Sequence, residues 1–279
     1  MTYQSDGGIM IYSLVALLGA TLNAGTAAPR CAEPLTPVGD YMYTFATTDE
    51  SGSRSSGTVR VHGDRTRIDM NDRKSSNDYI LLTDGGTRMS SVHPDRKKVE
   101  EISSPNFEHI VGTSLRVVSP IVKFNVQNLK ISSQRVATAQ KLRGYATEQI
   151  RVTENFDIHI RAMGFDAGTE HHTVVTDYWV SPGLDLGSNP LLALVEHTST
   201  AMAQTDRGFV QQEAAVRAQA LQGTPLRTIV HETTIDDNGS EHSKTHSIEI
   251  TAVQFGPQPA ALFTVPSGYR IESGMSFHM

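Results

Sequence analysis

Residues 57–70, GTVRVHGDRTRIDM, decide the class of fold. Thr58–His62 alternates small or apolar residues with polar ones, Gly63-Asp64 is a turn dipeptide, and Thr66–Met70 resumes the alternation. Period-two patterning on both sides of a Gly-Asp pair predicts a tight antiparallel hairpin. The same reading extends in both directions. In Asp40–Thr48, Tyr41, Tyr43 and Phe45 fall on one face and Met42, Thr44 and Ala46 on the other, with Ser51–Gly57 as a loop between. Tyr79–Thr83 and Thr87–Val92 flank Asp84-Gly85-Gly86, and His93-Pro94-Asp95 turns the chain into Lys97–Ile102. Short strands at this spacing predict an antiparallel meander of sandwich or barrel type.

Further along, residues 104–120 read as a short helix or a crossing loop. Lys123–Val136, Gly144–Val152, Phe156–Met163 and Thr173–Val180 read as strands. The pattern changes at Ser188. Asn189 is a good N-cap and Pro190 suits a first helical turn, which predicts a helix over 189–202. A second is expected over 205–221, with Phe209 on a narrow apolar stripe and Gly223 and Pro225 ending it. Leu226–Ile235, the turn 236–239 and Lys244–Val253 form another hairpin, and Ala261–Arg270 closes the chain. The expected architecture is mainly β with helices (α+β): a curved, incomplete antiparallel barrel packed against two helices. It forms one domain over 40–272 with a tail at 273–279.

Ile9–Leu22 is an uncharged apolar run followed by the small residues of 23–28. It predicts a signal peptide over 1–27, cleaved after Ala27 or Ala28, with an extended leader over 28–39. Asp6 stands where a basic residue is usual, so Met10 is a competing start. An uncleaved anchor or a buried helix are the other readings of this run. At about 14 apolar residues it is short of the ~20 needed to span a bilayer. Export to the periplasm or the exterior follows. Cys31 is the only cysteine, so no intramolecular disulfide can form. Arg30 before it argues against lipidation.

The net charge of −6, with both signs interspersed, gives no electrostatic footprint for nucleic acid and no polybasic patch for anionic lipid. Nucleophile-elbow, phosphate-loop and zinc-protease motifs are absent; His231-Glu232 has Ile235, not His, four residues after the histidine. His171 and His172 are adjacent on a strand and point to opposite faces. If Asn238-Gly239 are the central turn residues, His231 faces His246 across the last hairpin, a weak metal pair lacking a third ligand. If the turn is Asp237-Asn238, His231 faces Lys244. Among scattered carboxylates, Asp69, Glu148 and Asp157 included, nothing singles out a glycosidase pair.

Five segments occur in a recognisable order: Gly57–Met70, Tyr79–Glu100, Lys141–Val152, the Trp strand Asp177–Pro182, and the finish Leu262–Tyr269 (LFTVPSGY). Over roughly residues 40–270 the chain resembles the LolA/LolB-like lipoprotein-carrier superfamily of exported bacterial proteins. The resemblance implies a half-barrel whose inner face holds acyl chains. Tyr41, Tyr43, Phe45, Trp179 and Phe209 are then expected to line the cavity, with no cofactor and no catalytic residue. The expected function is binding of a lipid, acyl chain or lipoprotein group. The alternatives are an envelope scaffold that engages a protein partner and a His-based metal enzyme.

Overall fold

The computed structural model describes residues 39–70, 77–103, 122–162, 165–186, 215–216 and 221–273. These form twelve strands: β1 (Tyr41–Thr48), β2 (Arg54–His62), β3 (Arg65–Met70), β4 (Tyr79–Thr83), β5 (Arg88–His93), β6 (Lys98–Ser103), β7 (Val122–Leu142), β8 (Tyr145–Ala162), β9 (Phe165–Ser181), β10 (Thr224–Ile235), β11 (Glu241–Phe255) and β12 (Arg270–Ser273). All belong to one open sheet in the order β12-β6-β5-β4-β3-β2-β1-β11-β10-β9-β8-β7. Every pairing is antiparallel except β12 with β6.

The turns follow from local chemistry. Gly63-Asp64 closes a two-residue hairpin, with His62 opposite Arg65 and Gly63 at φ +58°. Arg143 and Gly144, both at positive φ, close the β7–β8 hairpin between Leu142 and Tyr145. Two successive left-handed residues match the twist of a hairpin, and a glycine at the second makes this cheap. The strand expectations over 144–163 merge into one continuous β8, because Glu154 and Asn155 keep pairing with Val174 and Thr173.

The α+β expectation is corrected. Among the described residues the helical ones are short 3-10 turns and the two α-helical residues 215–216, so they contain no pair of helices for the sheet to pack against. The two segments expected to be helical, 189–202 and 205–221, lie almost wholly outside the described residues, as do the signal-like run, the leader and Phe209. The described core is instead built from strands, one turn and a C-terminal strap. No helix among the described residues is long and apolar enough to cross a membrane.

Each face of the first half of the sheet carries a buried apolar cluster. On the inner face, Tyr41, Tyr43, Phe45, Val59, Val61, Ile68, Leu82 and Ile250 form one buried cluster with Leu184, Leu186 and Leu226. The leucines enter because the chain turns back at the end of β9. The Leu184 N–H is donated to the Ser181 carbonyl (3.3 Å) and the Thr224 N–H to the Leu184 carbonyl (3.1 Å). The Tyr41 hydroxyl is donated to the Leu186 carbonyl (3.1 Å). Gly223, at φ +125°, lies so close to the backbone of Ser181 and Pro182 that no Cβ fits there. The chain therefore leaves and re-enters the sheet at one pinned point.

On the outer face, Tyr79, Leu81, Val92 and Val99 are covered by Val265 and Tyr269. Residues 256–269 cross this face as a strap. Phe263 is 2 % exposed and stacks on His62, and the Arg67 guanidinium donates to the Leu262 carbonyl while lying 3.6 Å from the Tyr79 ring centroid. The strap ends by adding β12 beside β6. The finish LFTVPSGY is thus outer-face core.

Candidate functional site

Strand register places the inner-face side chains in rows across the sheet. One row runs Tyr43, Val59, Ile68, Ile80, Ser91, Glu100 and Glu272. A second runs Tyr41, Val61, Thr66, Leu82 and Met89. The third runs Phe45, Gly57 and Met70, and the same register continued one residue beyond Tyr79 sets Asp78 opposite His93, which faces Lys98. The inner face is therefore apolar from β1 to β4 and becomes polar and charged at β5, β6 and β12. Burial of Tyr41 pushes its phenol well above the ordinary range, in keeping with an apolar surround.

Not all expected cavity residues share this face. Tyr41, Tyr43 and Phe45 do. Trp179 does not: it pairs with Arg227, which pairs with Glu249, which pairs with Ala46, on the outer face. There its indole N–H donates to the Gln140 side chain (3.1 Å), and the Arg227 guanidinium lies 5.5 Å from its ring. Glu249 is opposed by burial, yet hydrogen bonds from Arg227 and Arg143 hold its carboxyl below the usual range. Trp179 belongs to this outer cation-and-carboxylate cluster.

The histidine pair is separated by a register difference of one residue. Asp236 and Ser240 close the hairpin around three residues, with the Asp236 N–H donated to the Ser240 carbonyl and Gly239 at φ +79°. The Asp236 carboxylate accepts from the N–H groups of Asn238 and Ser240 (2.9 and 2.8 Å), which keeps it below its ordinary pKa. His231 thus faces Thr245, and His246 faces Val230. A one-residue slip moves every side chain to the other face. His231 is on the outer face and His246 on the inner, so they form no shared site. Burial lowers the His246 pKa. Among the described residues no group of three or more His, Cys, Asp or Glu is placed to hold a metal ion.

Two polar arrangements are assembled only by the fold, although His171, His172 and Asp157 of the first are noted separately in the sequence. At the far end of the long strands, Asn128, Lys130, Asn155, Phe156, Asp157, His171, His172 and Thr173 line an open cleft of about 370 Å³. His171 bonds Asp157 (2.7 Å), and His172 stacks on Phe156 (centroids 5.1 Å apart). Hydrogen bonds from Asn128 and His171 hold Asp157 below its ordinary pKa.

The second arrangement is on the inner face. Ser91 Oγ is 3.2 Å from His93 Nε2, and His93 Nδ1 is 2.9 Å from Asp78 Oδ2. The only sequence signal for it is Ser91 and His93 two apart on one strand; Asp78 arrives through the β4–β5 register. Beside them, Lys98 Nζ is held by Glu100 (2.6 Å) and Glu272 (2.7 Å).

Compared with known proteins, the chain matches no protein-family model and no curated protein.

Proposed function

We propose that this chain is an exported binding protein whose inner sheet face holds the acyl chain of a lipid or lipoprotein. The observation that carries the reading is the row Tyr43, Val59, Ile68, Ile80. It crosses four adjacent strands without a charge and meets polar groups only at Ser91 and Glu100. At ~4.8 Å per strand, four steps from Tyr43 to Ser91 span about 19 Å, the reach of a long acyl chain. Tyr43, Val59 and Ile68 are covered by the cluster with Leu184, Leu186 and Leu226, and Ile80 is partly exposed, so an acyl chain enters beside Ile80 and Ser91 and displaces part of that cover, with the polar margin left for a headgroup. The resemblance to the lipoprotein carriers supports the same reading.

The test is thermal unfolding of delipidated protein with palmitate and with a diacylated lipopeptide. Ligand at 100 times its Kd stabilises a folded state by ~2.7 kcal/mol. At ~2–4 °C per kcal/mol for a chain of this size, that is a rise of about 5–10 °C. The variant Ile80→Glu, at a partly exposed position on the row, should fold and lose most of the rise. An unchanged melting temperature with both ligands at millimolar concentration would refute the proposal.

A further inference from the structure

We propose that Ser91, His93 and Asp78 form a nucleophilic relay that cleaves acyl esters presented on the inner face. The three side chains have the connectivity that activates a serine: Oγ to one imidazole nitrogen, and a carboxylate on the other. The carboxylate fixes the tautomer with the proton on Nδ1, leaving Nε2 as the base toward Oγ at 3.2 Å. His93 and Asp78 are 17 % and 30 % exposed at their side chains, so the base is sheltered but not sealed off.

Position adds to geometry. Ser91 is the residue at which the row from Tyr43 through Ile80 changes from apolar to polar. A chain lying on that row sets its ester carbonyl beside Oγ. The step is an ordinary hydrolysis. Ser91 Oγ adds to the carbonyl carbon as its proton passes to His93 Nε2. The tetrahedral adduct expels the alcohol oxygen, which takes that proton. Water then adds to the acyl-serine through the same base, releasing the carboxylic acid and restoring the serine hydroxyl.

The preference for a long acyl chain rests on the binding reading above; the reactive serine does not. The experiment treats the full chain with ethyl and dodecyl fluorophosphonates, follows the adduct by intact mass, and maps it by peptide digestion. We expect one adduct on Ser91, formed faster with the dodecyl reagent. It should be absent in Ser91→Ala and slowed about 100-fold or more in His93→Gln, the range by which a positioned base contributes. Both variants should melt within a few degrees of the parent, which separates lost chemistry from lost folding. No adduct, or one that survives Ser91→Ala, overturns the relay while leaving the thermal-shift test of binding intact. A Ser91 adduct formed equally fast with both reagents overturns the acyl preference alone.

Discussion

Gly57→Ala isolates how tightly the inner face is packed. Gly57 is opposite Phe45, and a Cβ built on it would stand 2.5 and 2.7 Å from two Phe45 ring atoms and 2.8 Å from the Asp69 carbonyl oxygen. The ring is a side-chain end and can shift, but Phe45 is 2 % exposed and has little room. The carbonyl belongs to the adjacent strand β3 and moves only by disturbing the β2–β3 ladder. Overpacking of this kind costs ~1–3 kcal/mol. Against it stands the ~0.4–1 kcal/mol that Gly→Ala contributes by restricting the unfolded chain. The net expectation is a loss of about 1–2 kcal/mol, read as a lower midpoint in urea at unchanged slope. Phe45→Ala alone should cost ~3–5 kcal/mol. In that background the alanine at 57 should cost less, by at least ~0.5 kcal/mol, because the two nearest contacts are gone. The Asp69 contact keeps the relief partial. A Gly57→Ala protein as stable as the parent, or more so, would refute the claim that Phe45 packs onto the bare backbone of β2.

Three further expectations follow from the other packing elements. Gly239→Val places a β-branched residue at φ +79°, costs ~1–2 kcal/mol, and should weaken the cross-strand NOEs Val230–His246 and His231–Thr245 that define the hairpin. Phe263→Ala empties the anchor of the strap at a 2 % exposed site; it should cost ~3–5 kcal/mol and open residues 256–269 to limited proteolysis. Burial lowers the His246 pKa below its ordinary 6.5, so the unfolded chain binds more protons near that pH. Its contribution is complete above pH 6.5 and is lost as pH falls through the folded pKa. Urea titrations between pH 7.5 and 5 should show this slope in the parent and a shallower one in His246→Gln.

The strand pattern was legible where the chain's own neighbours set it. Gly63-Asp64 turns as its residue types demand, and Tyr41, Tyr43 and Phe45 share a face because a strand alternates. The last hairpin was less legible. Asp236–Ser240 contains two plausible turns, and its register follows from the Asp236 carboxylate gathering the Asn238 and Ser240 N–H groups around a left-handed Gly239. The side of the sheet to which Trp179 belongs was hidden for a related reason. Alternation within β9 separates Trp179 from Tyr178 but does not say which of them faces Tyr41; that is set through β10 and β11.

Periodicity and turn chemistry are local, so the sequence by itself determined most of the strands and hairpins and the apolar character of the row-forming residues, but not the start of β2 at Arg54 within the expected loop 51–57, nor β12. Only the tertiary structure decided what lies across from what. It put the strap on the outer face, β12 parallel to β6, His231 and His246 on opposite sides, and Asp78 against His93. These juxtapositions depend on register accumulated over many strands, where one residue of slip exchanges the two faces, and no local pattern in the chain carries that sum.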